Sequence, residues 1–94
     1  MRVRWTRSAL ANLSDLADYI AEDNPTAAGT MLERVASAIA RLQAHPALGR
    51  PGRVPNTREL VIPHSPYVVP YRVQADHIEI LRVFHGARRW PDDF

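Results

Sequence analysis

Three short runs of strand-forming residues, separated by turn residues, fill the second half of this chain and restrict what it can fold into. The runs cover residues 58–62, 67–73 and 77–84 and are rich in Val, Ile, Tyr and Phe. Residues 63–66 begin and end with proline and turn the chain between the first two runs, and residues 74–76 make a tight hairpin between the last two. The pattern predicts three strands of a small, mostly antiparallel sheet.

Pro70 lies inside the second of these runs. Proline has no amide hydrogen to donate to a neighbouring strand, so this residue requires a sheet edge, a bulge or an amide position that faces outward. The sequence leaves all three placements open.

The first half of the chain carries apolar residues at helical spacing. Residues 2–5 alternate and predict a short first strand, after which Thr6 can cap a helix. Asn24 and Pro25 end this helix and begin a second one, which Pro46 stops. The apolar positions of the first helix are Ala9, Leu10, Leu13, Leu16, Ala17 and Ile20. The predicted stripe of the second helix is Ala28, Leu32, Val35, Ile39 and Leu42.

The element order is therefore β-α-α-β-β-β, an α+β arrangement with a helical hairpin packed on one face of the sheet. At 94 residues the chain is expected to form a single domain, residues 1–94. The other face of the sheet is also built from apolar residues and is a poor fit to water. Either part of the sheet curls over itself or another chain covers this face.

The charge is uneven and its positive part is carried by arginine alone. All 12 basic residues are arginines, and residues 50–91 hold seven of them against three acids, whereas residues 1–49 hold five of each. Each of the three strand runs contains one arginine, at Arg58, Arg72 and Arg82. The sheet half therefore offers planar, permanently charged groups to an anion or an acidic partner, and no lysine is present for acid–base chemistry.

What the chain lacks excludes several classes of function. Without cysteine there is no disulfide, thiolate metal site or cysteine nucleophile. The histidines at positions 45, 64 and 77 have no suitably spaced partner for a metal site. No apolar run approaches the roughly 20 residues of a membrane span, and the N-terminus lacks a signal-peptide core. We expect a cytoplasmic protein with no metal, no cofactor and no membrane contact.

The end of the third run and the residues after it form the main candidate site. Arg82 alternates with its neighbours so as to share a face with Ile80 and Phe84, and is either paired with a carboxylate or functional. The adjacent Arg88 and Arg89 cannot both pack inward, so at least one is free to meet an acidic surface or a phosphate. The predicted contacts to a target or a partner protein are Arg58, Arg72, Arg82, His85, Arg88, Arg89 and Trp90.

Structural roles compete with these functional ones. Glu59 is expected to be a salt-bridge partner. The structural alternative for Arg88 is that it pairs with Glu59 or with Asp92 instead of contacting a target. The structural alternative for Arg72, at the end of a run, is a solvated charge with no contact to a target. His85 precedes a glycine and is expected to hydrogen-bond a turn.

Several segments, in order, carry a resemblance that covers nearly the whole chain. They are Trp5, residues 18–28 (D-Y-I-A-E-D-N-P-T-A-A), 49–54 (G-R-P-G-R-V), 57–62 (T-R-E-L-V-I), 66–73 (P-Y-V-V-P-Y-R-V) and 80–88 (I-L-R-V-F-H-G-A-R). Together they resemble the RelE/ParE family of bacterial type II toxins, and its ParE branch most closely. The resemblance implies a cognate antitoxin whose C-terminal segment folds onto the toxin, with operator DNA bound only through the antitoxin.

The two branches of this family imply different targets. RelE-type members cut messenger RNA in the ribosomal A site with lysines, arginines and a C-terminal tyrosine or histidine–tyrosine pair, whereas ParE-type members inhibit DNA gyrase. This chain has no lysine and no C-terminal tyrosine, and Val68 stands where ribonuclease members place an arginine. Gyrase inhibition without catalysis is therefore predicted. The alternative is a ribosome-dependent mRNA interferase that uses Arg58, Arg82 and His85.

Overall fold

Two helices and six strands make up the fold in the computed structural model, which describes residues 1–94. In chain order they are β1 (Arg2–Trp5), α1 (Arg7–Asp23), α2 (Pro25–Ala44), β2 (Arg50–Pro51), β3 (Arg58–Val61), β4 (Tyr67–Val73), β5 (His77–Ile80) and β6 (Phe84–His85). Neither helix is long and apolar enough to cross a membrane.

The strands form one mixed sheet in the order β1-β5-β4-β3-β2, with β6 beside the first residues of β4. β1 and β5 run parallel, and the other neighbouring pairs are antiparallel. The predicted α+β class and the mostly antiparallel sheet are confirmed. The β1–β5 pairing joins residues 2–5 to residues 77–80, which are far apart in the sequence.

Both helices begin at the caps that the sequence predicts. The Thr6 hydroxyl accepts a hydrogen bond from the Ala9 backbone N–H at 3.1 Å, and the Asn24 side chain accepts one from Ala27 at 3.1 Å. Pro25 occupies the first turn of α2, where its missing N–H costs nothing. The chain therefore enters each helix at a fixed angle.

One prediction for α2 is wrong. Leu32 was expected in the buried stripe but is 40% exposed, and Met31 is buried in its place. At 100° per residue, Leu32 lies about 70° from the middle of the stripe that faces α1 and the sheet. The core that results contains Ala9, Met31, Val35, Ala38, Ile39, Leu42, Leu60, Ile62, Val69, Tyr71, Ile78, Ile80 and Val83.

The chain itself covers part of the other face of the sheet. Glu59 and Phe84 point to this face, and Arg53 in the loop after β2 lies against Glu59. Trp90, near the end of the chain, packs against both Arg53 and Phe84. The sequence left open a sheet that curls over itself or a second chain that covers it, and neither describes this part of the sheet, because the loop after β2 and the C-terminal segment cover it.

The predicted strand over residues 77–84 is interrupted by a bulge. Tyr71 pairs with Ile80 and Val68 pairs with Phe84. Between these two pairs β4 has two residues, whereas the opposite segment has three, residues 81–83. One extra residue therefore separates β5 from β6.

The bulge changes which side chains share a face. Alternation predicted Arg82 on one face with Ile80 and Phe84, and this is wrong. Ile80 and Val83 both belong to the core under the helices, while Phe84 lies on the opposite face against Trp90. Inserting a single residue into a strand moves every later side chain to the other face.

Candidate functional site

An open groove with a cavity volume of about 580 Å³ lies between the start of α1 and the last residues of the chain. Its lining, which we call the arginine groove, consists of Ser8, Ala11, Asn12, Arg82, Phe84, Arg88, Arg89, Trp90 and Pro91. No carboxylate is among these residues, so three guanidinium groups define its charge. Four predicted contact residues, Arg82, Arg88, Arg89 and Trp90, come together here.

Arg82 is half-buried and makes no salt bridge. One terminal nitrogen of its guanidinium donates to the backbone carbonyl of Leu81 at 2.6 Å, and the group lies 5.2 Å from the centroid of the Phe94 ring. Of the two possibilities left by the sequence, pairing with a carboxylate does not occur. The remaining guanidinium N–H groups are donors without a carboxylate to satisfy them.

Arg88 and Arg89 follow the turn after β6 and are both exposed. The Arg88 guanidinium lies 4.4 Å from the centroid of the Phe84 ring, and its backbone N–H donates to the His85 carbonyl at 3.0 Å. Arg88 pairs neither with Glu59 nor with Asp92, so that structural alternative is wrong. A stack on an aromatic ring restricts the guanidinium without neutralising it.

Glu59 is the buried charge of the molecule, at 2% exposure. Two guanidinium nitrogens of Arg53, Nε and Nη2, each donate to one oxygen of the Glu59 carboxylate at 3.1 Å. The Arg53 backbone N–H donates to the same carboxylate at 2.8 Å. Arg50, its partner across β2 and β3, adds a contact of 3.0 Å. Burial alone would raise the pKa of Glu59, but the hydrogen bonds from Arg53 and Arg50 outweigh burial and hold the pKa below its usual value.

This carboxylate also anchors the C-terminal segment through Arg53. The Arg53 guanidinium lies 3.8 Å from the ring centroid of Trp90 and donates to the Gly86 carbonyl at 3.4 Å. The Trp90 indole N–H is buried and has no hydrogen-bond partner within the chain. Glu59 was predicted as a salt-bridge partner, which is confirmed, but Arg53 and its stack on Trp90 were missed by the sequence reasoning.

The other predicted contact residues do not line the arginine groove. Arg58 donates to the Gly49 carbonyl at 2.7 Å, and Arg72 lies 3.7 Å from Glu79 across the β4–β5 pair. His85 accepts a hydrogen bond from the Ala87 backbone N–H at 3.1 Å, which confirms its expected role in a turn. The three residues proposed for an interferase, Arg58, Arg82 and His85, therefore do not share one cavity lining.

Tyr71 fills the space under the loop before β2 and is structural. Its hydroxyl accepts from the Gly49 N–H at 2.9 Å and donates to the Pro46 carbonyl at 2.7 Å. Burial raises its pKa, against the opposing effects of the Gly49 hydrogen bond and the Arg58 charge. Gly49 must be glycine here, because a Cβ would lie 2.7 Å from the Glu59 carbonyl oxygen and from the Tyr71 ring.

Solved structures with the same fold identify the class of this protein. The chain matches a structure titled as the chromosomal ParDE toxin–antitoxin system from P. aeruginosa with a TM-score of 0.80 and 33% identity, over 90% of this chain and 95% of that one. It also matches a chain of the toxin–antitoxin complex RelBE2 from Mycobacterium tuberculosis, with a TM-score of 0.59 and 25% identity, over 89% and 95% of the two chains. The architecture is therefore that of the RelE/ParE toxins.

The sequence of the chain also matches a family of known proteins. Residues 3–90 match the model of the ParE toxin of type II toxin–antitoxin systems, parDE. "Putative toxin Y4kP" of Sinorhizobium fredii is 46% identical over 96% of this chain and 93% of its own length. Toxin RelE2 of Caulobacter vibrioides is 39% identical over 93% of this chain and 97% of its own length. The chain belongs to the ParE toxin family of type II toxin–antitoxin systems.

Proposed function

We propose that this toxin inhibits DNA gyrase by binding, and that the arginine groove is part of the contact surface. The observation that carries the proposal is the composition of the groove, where the charged side chains are Arg82, Arg88 and Arg89. Arginine stays protonated at any physiological pH and cannot exchange a proton with a reacting group. Such a surface recognises anionic or acidic groups and has no means of acid–base catalysis.

A ribosome-dependent ribonuclease remains the second candidate, because one structural relative is named RelBE2 and one sequence relative RelE2. That chemistry needs a base for the ribose hydroxyl and an acid for the leaving oxygen. The histidine nearest to the groove in sequence, His85, accepts the hydrogen bond of the Ala87 amide. This hydrogen bond occupies only Nδ1, but His85 is not among the residues that line the groove with Arg82, and this separation favours the binding function over the catalytic one.

The proposed partner is a cognate antitoxin whose C-terminal segment folds onto this chain. Both structural relatives are titled as toxin–antitoxin assemblies. A second groove, with a cavity volume of about 460 Å³, lies between the end of α2 and β3, and its lining includes Arg41, Arg50 and the exposed side chains of Leu48 and Val61. A segment that alternates acidic and apolar residues matches this lining.

Operator DNA is proposed to be bound only through the antitoxin. The net charge of this chain is +2, and phosphate neutralisation by many cations supplies most non-specific affinity for duplex DNA. The arginines of the groove are too few to replace a dedicated DNA-binding element.

The test compares the two targets side by side. Purified protein is added to a gyrase supercoiling reaction and, separately, to ribosomes that carry message. We expect loss of supercoiling or gyrase-linked DNA breaks, with intact messenger RNA. Cleavage of the message at codon positions, with gyrase unaffected, would refute gyrase inhibition and favour the ribonuclease. For variants of the groove arginines, the matched control is Arg2→Ala, which changes an exposed arginine outside the groove.

A further inference from the structure

Pro70 lies in the middle of β4, where a proline is out of place. Its side chain is fully buried, and β3 pairs with it on one side through Glu59. On the other side the hairpin to β5 closes with a hydrogen bond from the Gln74 N–H to the His77 carbonyl at 2.8 Å. In an antiparallel pair, residues that exchange hydrogen bonds alternate with residues that do not. Counting from Gln74, position 70 should exchange two hydrogen bonds with Leu81.

Only one of these two hydrogen bonds exists. The Leu81 N–H donates to the Pro70 carbonyl at 3.0 Å, but Pro70 has no hydrogen to return to the Leu81 carbonyl. That carbonyl accepts two other donors, the Thr6 hydroxyl at 3.1 Å and the Arg82 guanidinium at 2.6 Å. The hydrogen bond missing from the sheet therefore provides the acceptor that holds Arg82.

The bulge begins at the same position. After Leu81 the extra residue leaves the ladder, and the Val83 N–H donates to the Asn12 side chain of α1 at 3.1 Å. Thr6 and Asn12, both from the start of the helical hairpin, thus satisfy backbone groups that a regular strand would pair with β4. Asn12 and Arg82 both line the arginine groove.

We propose that Pro70 is the positioning residue for Arg82. Because Pro70 has no amide hydrogen to donate to the Leu81 carbonyl, that carbonyl stays available to the Arg82 guanidinium and the strand stays bulged toward α1. One guanidinium nitrogen is then fixed by the backbone while the others remain in the groove for a ligand. Fixing the group before binding lowers the cost of ordering it in a complex.

The test is Pro70→Val, which preserves an apolar side chain of similar size and adds the missing amide. We expect this amide to bond to the Leu81 carbonyl, to exchange slowly with solvent and to displace Arg82. The thermal midpoint should stay the same or rise because the ladder gains a hydrogen bond, while inhibition of the target should fall about tenfold, equivalent to about 1.4 kcal/mol. Pro63→Val, at an exposed proline in the turn before β4, should change neither property.

A double-mutant cycle separates positioning from packing. If Pro70 acts through Arg82, Pro70→Val combined with Arg82→Ala should lose no more inhibition than Arg82→Ala alone. Additive losses, full activity of Pro70→Val, or a loss of activity together with a lowered midpoint would each overturn the assignment. So would fast exchange of the new amide, which would show that the Leu81 carbonyl is not its acceptor.

Only the activity measurement rests on the proposed function. Gyrase inhibition and the positioning role of Pro70 can therefore fail separately. If the unaltered protein leaves gyrase untouched, gyrase inhibition alone is refuted, and the same cycle is scored as growth arrest in cells. The exchange rate of the new amide and the nuclear magnetic resonance signals of the Arg82 guanidinium do not depend on any target. If these signals were unchanged in Pro70→Val, the positioning role would be excluded whatever the target.

Discussion

At the scale of single residues, the arginines divide into those that pair with a carboxylate and those that do not. Arg50 and Arg53 are committed to Glu59, and Arg72 faces Glu79. Arg82 and Arg88 contact a carbonyl or an aromatic ring, so their charge is not cancelled. An arginine that is paired with a carboxylate attracts a further anion only weakly, whereas an unpaired arginine attracts one strongly.

We therefore predict that Arg82→Ala and Arg88→Ala weaken growth arrest while the fold survives. Each change removes one unneutralised charge from the groove and should cost about tenfold or more in target affinity, equivalent to about 1.4 kcal/mol or more. Growth arrest on expression is measured beside circular dichroism, with Arg2→Ala as the control. Folded variants with full toxicity would contradict the role of the groove.

Glu59 gives a prediction about pH. Its folded-state pKa lies below the usual value of 4.5, so the unfolded chain takes up a proton at a higher pH than the folded one does. Its contribution to stability is therefore present above about pH 4.5 and is lost as the pH falls through the lowered pKa. Glu59→Gln should be less stable at pH 7 by about 1–3 kcal/mol.

The measurement is the thermal midpoint of both proteins from pH 7 to pH 3. The difference between them should shrink as the pH falls, because protonation removes the advantage of the original carboxylate. A difference that stays constant over this range would show that shape at position 59, and not charge, stabilises the fold.

At the scale of elements, features that depend on near neighbours are predictable and features that depend on distant ones are not. The caps at Thr6 and Asn24 act on residues three positions away, so the sequence is enough to predict them. The bulge depends on Pro70 and on the residue that lies opposite Pro70 in the sheet. The sequence of residues 77–84 alone therefore does not indicate the bulge. The arginines of the groove were predictable from their clustering, but Asn12 meets Val83 across 71 positions of the chain.

The element with the bulge also gives a stability prediction. Val83 is 5% exposed in the core, so Val83→Asp buries an unpaired charge and should abolish folding, at a cost above about 3 kcal/mol. Val73 ends β4 and is 41% exposed, so Val73→Asp makes the same chemical change in solvent and should fold normally. Circular dichroism and thermal unfolding distinguish the two, and a stable Val83→Asp variant would mean that Val83 faces water.

At the scale of the whole molecule, 94 residues leave a small core and exposed apolar side chains beside α2. A partner that binds only the folded chain stabilises it, by about 4 kcal/mol at a concentration 1,000 times its dissociation constant. For a domain of this size, each kcal/mol raises the thermal midpoint by about 4–8 °C.

We predict that the product of the adjacent antitoxin gene raises the thermal midpoint of this toxin by about 15 °C or more under those conditions. Leu48→Glu, at a residue 48% exposed in the groove beside α2, should leave the free toxin stable and reduce the shift. Scanning calorimetry of the toxin alone and with antitoxin measures both effects. An unchanged midpoint on adding the antitoxin would contradict the proposed partner.

The parallel pairing of β1 with β5 also limits when this part of the sheet can form during synthesis. Residues 2–5 are synthesised well before their partners at 77–80. The arginine groove needs Ser8 and Asn12 from one end and Arg82 and Arg88 from the other. A growing chain therefore lacks the groove until residues 82–91 have been made, and a product cut short before residue 82 would contain both helices but none of the three arginines that line the groove.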